Sequence, residues 1–208
     1  MRVTEFKEKH IEAAAALFVA AYGDERRHVD LLPARHEDPS AIVTRLARLT
    51  AKAPAVAAED GGRLVGFLAA IPAEGSKVIR RGVFSPEFAH AAVGPDRAGV
   101  YRAMYERPAA WAADDRLVHA LAILAHDDEA VRAWFWTGFG LQCVDAVRPL
   151  TPVAGDGPAA TGFEVREARP EDIPALMPLS REHELYYQGS PIFFPKAEPE
   201  DDEAFWAA

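Results

Sequence analysis

Apolar positions recur along the chain in two rhythms, every third or fourth residue and every second residue. The switches between them predict its elements. Val3 to Phe6 reads as a short strand. Ile11, Ala15, Phe18, Val19 and Tyr22 then return at helical spacing, and Gly23-Asp24 marks the expected end of that helix. Residues 25–37 are charged, contain Pro33 and read as a loop. Asp38-Pro39 opens a second helix. The carboxylate can accept from orphan first-turn N–H groups, and proline at the first helical position sacrifices no bond. Ile42, Val43, Leu46 and Leu49 form the buried stripe of that helix, and Pro54 follows its end.

Two apolar runs, residues 55–58 and 64–71, flank Asp60-Gly61-Gly62 and predict a hairpin. Residues 72–81 are polar and expected as a loop. Val83 to Val93 supplies strand material interrupted by Pro86. A Gly-Pro turn leads into a helix expected from Ala98 to about Asp114, which Pro108 should kink or split. Leu117 to Leu124 is a continuous apolar run, the pattern of a buried strand. Asp127 caps a further helix with Ala130, Val131, Trp134 and Phe135 along one face, and Gly138-Phe139-Gly140 stops it. Leu141 to Val147 is expected as a last strand. The order β-α-α-β-β-β-α-β-α-β over residues 1–150 predicts an α/β fold with a mixed sheet (α+β) and helices on both faces.

Residues 151–162 are a linker by composition. Beyond them Val165 to Leu179 lines up without a gap on Val3 to Leu17, at a constant offset of 162. Val3/Val165, Glu5/Glu167, Ile11/Ile173, Ala13/Ala175 and Leu17/Leu179 coincide, which reads as an internal duplication. The expected organisation is one module over 1–150 and the opening strand and helix of a second copy over 163–208, incomplete in this chain.

The 208 residues are half apolar, enough for one full domain core, and the formal net charge is −9. That charge argues against non-specific nucleic-acid binding, which needs a basic face. No apolar run approaches the roughly 20 residues that span a bilayer. Cys143 is the one cysteine, so no intramolecular disulfide forms; within Leu141-Gln-Cys-Val it reads as a core filler. Met1-Arg-Val-Thr-Glu lacks the apolar segment of a signal peptide, and the expectation is a cytoplasmic protein. His119 and His126 flank the apolar stretch Ala120 to Leu124; they are candidates for a site at the strand's ends, and the favoured reading is that of structural histidines. Trp111, Trp134 and Trp136, at helical spacings, read as packing residues. No His/Cys/Asp cluster has metal-ligand spacing, so no metal site is expected.

Chemistry centres on residues 92–105, a strand end, a tight turn and a helix start. Such a corner aims backbone N–H groups at one point and suits an anion such as a phosphate. Arg97 and Arg102 lie within it, and Glu87, on the strand leading in, is the best placed carboxylate for a base.

This pattern resembles the GNAT superfamily of N-acetyltransferases. The last helix of that family reads Asn, two residues, Ala, three residues, Tyr, three residues, Gly-Phe. Asp127, Ala130, Trp134 and Gly138-Phe139 match that spacing in register. The resemblance implies a GNAT-like acyl-CoA N-acyltransferase fold and direct acetyl transfer from acetyl-CoA to a small-molecule or peptide amine. The family's loop, Gln/Arg-x-x-Gly-x-Gly/Ala, holds the cofactor's pyrophosphate, and the preceding strand bonds its pantetheine arm. On this chain those roles fall to Val93, Arg97, Gly99, Val100, Tyr101 and Arg102, with Asp127 and Trp134 on the last helix. Several positions depart from the family's pattern. Asp96 brings a negative charge, Tyr101 replaces a small residue beside the phosphate, and the loop is about two residues short. Trp134 replaces the tyrosine that protonates the departing thiolate, and an indole N–H is no general acid. The expectation is therefore a degenerate first module, with acetyl-CoA chemistry in the second. The alternative is a non-catalytic binding or dimerisation module that retains the fold. A half-built second sheet would also favour a homodimer, since unpaired edges recruit partners.

Overall fold

The computed structural model describes residues 1–74, 81–107, 118–151, 162 and 166–188. It divides into two compact units, Met1–Val144 and Asp145–Ala208. The first unit begins with β1 (Arg2–Glu5), a 3-10 turn (Glu8–His10), α1 (Ile11–His28) and α2 (Pro39–Thr50). Strands β2 (Ala55–Asp60), β3 (Arg63–Ala69), β4 (Ile71–Glu74), β5 (Arg81–Ser85) and β6 (His90–Ala92) follow. Then come α3 (Arg97–Tyr105), β7 (Val118–Leu121) and α4 (Asp128–Trp136).

Alternation along the strands sorts the core into two layers. Val56, Ala58, Leu68 and Ala92 face α3 and α4, joining Val100, Tyr101, Met104, Ala130 and Trp134. Their neighbours Ala57, Phe67 and Ala91 face α1 and α2, joining Ile11, Phe18, Ile42 and Leu46. Both sides of the sheet are thus covered by helices, as the mixed α/β pattern requires.

The strands form an antiparallel sheet in the order β1-β2-β3-β6 and a second sheet in the order β4-β5-β7. One long hairpin runs through both. Leu68 pairs with His90 and Ile71 with Phe84, so three steps along one side match six along the other. The surplus is a 3-10 turn at Glu87–Ala89, following Pro86. This bulge turns β6 away from the line of β5. Strand β7 runs parallel to β5 from Gly82↔Val118 to Ser85↔Leu121, and Ala122 N–H still donates to Ser85 O at 2.9 Å. Beyond that point, among the described residues, β6 pairs with β3 and not with the chain after β7, and a gap opens between the two.

Several boundaries depart from the sequence pattern. Helix α1 passes through Gly23 to His28, because Tyr22 and Glu25 continue its buried face and outweigh the cost of about 1 kcal/mol for glycine in a helix. Part of the expected loop 72–81 is strand, since β4 prolongs the hairpin to Glu74↔Arg81. Helix α3 ends at Tyr105; Pro108 and Trp111 lie outside the described residues. The expected strand 141–147 is not a strand. Among the described residues no backbone edge pairs with it, so its apolar alternation buries nothing and Leu141, Val144 and Val147 are exposed. Cys143 is accordingly exposed, not a core filler. Trp134 is buried, but Trp136, half a turn round the helix, is 81% exposed, and Phe135 is also exposed.

Helix α4 ends as its sequence foretells. Gly138 has φ 103, Phe139 N–H donates to Trp134 O at 3.1 Å, and Gly138 N–H donates to Phe135 O at 3.0 Å. This is the paired-bond ending that needs a left-handed residue, and Phe139 packs its ring 5.2 Å from that of Trp134.

In the second unit, a 3-10 turn (Pro170–Asp172) leads into α5 (Ile173–Gln188). The first unit makes the same junction 162 positions earlier, at Glu8–His10 and Ile11. The bonding repeats too. Lys7 N–H donates to His10 Nδ1 at 2.9 Å, and Arg169 N–H donates to Asp172 Oδ2 at 2.8 Å. Ile11, Ala14, Ala15 and Phe18 are buried in α1, and their counterparts Ile173, Leu176, Met177 and Ser180 are half-buried in α5. The expected opening strand of the second copy and most of the linker lie outside the described residues. No helix among the described residues is long and apolar enough to cross a membrane.

Candidate functional site

The gap between β6 and the chain after β7 is the mouth of a cleft of about 500 Å³. Its walls are α1, residues 90–94, and residues 123–130 leading into α4. That volume lies within the range of small-molecule sites. At the apex His90, on β6, donates through Nε2 to Ala122 O at 2.7 Å, which pins the two chains where they part. Burial pushes the His90 pKa down, so the ring is neutral and Nδ1 is an acceptor. That Nδ1 is buried with no hydrogen-bond partner, as is the indole N–H of Trp134 beside it.

The corner from Val93 to Arg102 closes one end of the cleft. Val93 N–H donates to Val65 O at 2.8 Å, continuing the β6 ladder. Asp96 caps α3: its Oδ1 accepts Gly99 N–H at 2.8 Å, and its carbonyl accepts Val100 N–H at 3.1 Å. Glycine at position 99 is what lets the carboxyl group lie there, since a Cβ would stand 2.2 Å from Asp96 Oδ2. Asp127 caps α4 in the same way, accepting Ala130 N–H at 3.0 Å.

Arg97 lies across the space between these two helix starts. Its Nε donates to Ala92 O at 2.8 Å, the last carbonyl of β6. Its guanidinium is paired with the Asp127 carboxylate and, at 3.2 Å, with Glu129. Burial opposes the charge on Arg97, but the Asp127 hydrogen bond and charge outweigh it, and its pKa is raised. Two helix N-termini and an arginine thus converge on one point, and the protein's own carboxylates occupy it.

The other residues singled out from the sequence sit as follows. Tyr101 lines the cleft, but its ring is packed into the core, 5.1 Å from Trp134 and 6.0 Å from His90. Burial pushes its phenol up to about 12. Val100 and Trp134 are core residues, and Arg102 is exposed. Glu87 stands on the bulge and lines the cleft. The structure therefore gathers Glu87, Val93, Arg97, Tyr101 and Asp127 around one cleft and leaves Arg102 outside it.

The opposite end of the cleft holds a group the sequence pattern did not reveal. Glu25, on α1 and only 6% exposed, accepts both the backbone N–H of His126 at 2.9 Å and its Nδ1–H at 2.8 Å. The His126 ring stacks on His28, with centroids 4.6 Å apart and planes 6° from parallel. These residues come together across 101 positions, and no local spacing signals that contact. Among the described residues no group of three His, Cys, Asp or Glu side chains could hold a metal ion.

No family model matches the sequence, and no curated protein matches it. Among solved structures, the chain is similar to a point mutant of the BH1408 protein from Bacillus halodurans. The TM-score is 0.55 at 14% identity, covering 73% of this chain and 100% of that one. A tetramutant of the same protein gives a TM-score of 0.54 at 14% identity, over 72% and 100% of the two chains. A ribosomal-protein-alanine N-acetyltransferase from Brucella melitensis is similar at a TM-score of 0.47 and 15% identity, over 71% and 98%. The fold these structures share with the chain is a mixed α/β fold. At these identities the likeness is one of overall fold.

Proposed function

We propose that this chain belongs to a GNAT-type acyl transfer system acting on an amine, and that its first module does not hold acetyl-CoA. The carrying observation is Arg97 bound between Asp127 and Glu129 at the junction of α3 and α4. A diphosphate entering this corner would meet Asp127 and Asp96, two carboxylates already using the groups that an incoming anion needs. As arranged, these residues do not fit the cofactor's pyrophosphate. The thiol end fares no better, because Trp134 is buried and offers no acidic proton.

The acetyl-CoA chemistry then belongs to a second module opening at residue 163. The repeated 3-10 turn and helix start, at Glu8–Ile11 and Pro170–Ile173, support that tandem reading. A non-catalytic binding module over residues 1–150 is the second reading, and the closed corner beside an open cleft supports it equally for that part of the chain. A cytoplasmic location fits both.

Calorimetric titration of acetyl-CoA into the whole chain tests the proposal. The expected result is no heat, or binding weaker than about 1 mM. Micromolar binding, with signals of residues 93–102 shifting, would overturn it.

A further inference from the structure

The cleft keeps a second set of polar groups that the closed corner does not use. Glu25 orients His126: the carboxylate accepts, so Nδ1 carries a proton and Nε2 lies on the far side of the ring from this bond. His28 is fixed in the same sense, because its Nδ1 lies 3.1 Å from the Asp24 carbonyl, which can only accept. Two parallel imidazoles, both lining the cleft, are thus each anchored through Nδ1, which leaves Nε2 outside those bonds. His126 is 44% exposed and open to a ligand. A third imidazole in the same wall, His90, is 6% exposed with an unpartnered acceptor nitrogen.

Charge decides what these rings meet. The cleft wall carries six carboxylates against two guanidiniums. Both arginines are spent within the wall, Arg97 on Asp127 and Glu129, and Arg27 on Asp24. Leu17, Phe18, Ile123 and Leu124 supply an apolar lining.

We infer that His126, positioned by Glu25 and stacked on His28, is the group that recognises an ammonium N–H in this cleft, and that the site selects primary amines over quaternary ones. That the ligand is an amine rests on the reading of the preceding section; the anchored pair rests on geometry alone. Negative charge attracts any cation, whereas the Nε2 lone pair of a neutral ring rewards only a cation with an N–H to donate. Glu87, the carboxylate marked in the sequence, contributes field at the rim in this scheme.

The test uses the full chain, labelled with 15N, and two probes of equal charge: 2-phenylethylamine and trimethyl(2-phenylethyl)ammonium. Long-range 1H–15N spectra of the free protein should show His126 and His28 protonated on Nδ1. The primary amine should shift both histidines and bind at least about tenfold more tightly than the quaternary one. Glu25→Leu should abolish that preference, and Glu25→Gln, which keeps an acceptor oxygen, should restore most of it. A proton on Nε2 of His126 overturns the inference even if the leucine variant does not fold. Equal binding of the two cations, or no response of the cleft to either, overturns it as well. The acetyl-CoA titration decides the closed corner separately.

Discussion

Arg97 and Asp127, thirty residues apart in sequence, close the space between the starts of α3 and α4 by pairing with each other. Each partner also serves a strand or helix end: Arg97 the last carbonyl of β6, Asp127 the third N–H of α4. The pair therefore behaves as a fixed internal anion and its counter-cation, and it is the first place to intervene.

Asp127→Asn keeps an N-cap oxygen but removes the charge that holds Arg97. The variant should lose about 1 kcal/mol of stability, as partly exposed ion pairs do when broken. It should gain at least about tenfold in affinity for CoA, roughly 1.4 kcal/mol, because the guanidinium becomes free to meet phosphate. Calorimetry on the two proteins side by side measures this, and equal affinities would mean the corner is not an anion site.

Gly99 and Asp96 should prove strongly coupled. In the wild-type chain Gly99→Ala pushes a Cβ into the Asp96 carboxyl and evicts the cap, at a cost of about 1 kcal/mol. In an Asp96→Ala background the same change should stabilise by about 0.5–1 kcal/mol, as alanine normally does within a helix. A double-mutant cycle in urea should thus show a change of sign; additive effects would contradict the geometry.

Stability should decline on the acid side of neutrality. Burial, with His90 close by, holds His119 down to about 4, and burial also lowers His90. Unfolded histidine titrates near 6.5, so between there and about 4 the unfolded chain binds the extra proton. Folding stability is therefore full above pH 6.5 and falls as the pH drops toward 4. The slope is at most about 1.4 kcal/mol per pH unit for each histidine. Melting curves at pH 7, 6 and 5 should show the loss, and His119→Phe should flatten it; a flat profile in the wild type would count against buried neutral imidazoles.

Two tryptophans on one helix should respond oppositely. Trp134 fills the core among Tyr101, Tyr105 and Phe139, and Trp134→Ala should cost about 3–5 kcal/mol. Trp136→Ser should change stability by less than about 0.5 kcal/mol, since its ring is in solvent. Chemical denaturation of both variants checks the pair.

The contrast shows what the sequence could and could not convey. Local devices were legible: Asp38 and Asp127 as caps, Asp60-Gly61-Gly62 as a hairpin turn, Gly138 as a helix stop. Each depends on a few neighbouring residues. The strand expected at 141–147 failed because alternation records only what a segment could bury, and a strand exists only beside an edge that takes its backbone bonds. The cleft's key contacts, Arg97 with Asp127 and Glu25 with His126, join residues that no periodic pattern relates. The corner's strand-turn-helix pattern reads as an anion site carrying Asp96, but the pairing of Arg97 with Asp127 there appears only when α3 and α4 are brought together.

Pro86 to Ala89 carry a quiet consequence. Three of these four residues are surplus to the hairpin, and the surplus is what steers β6 off the line of β5 and away from the chain after β7. Excising three of them would let the two chains zip together past Ala122 and turn the hollow into continuous pleat. The cleft is, in that sense, an insertion in the backbone and not a gap left by small side chains.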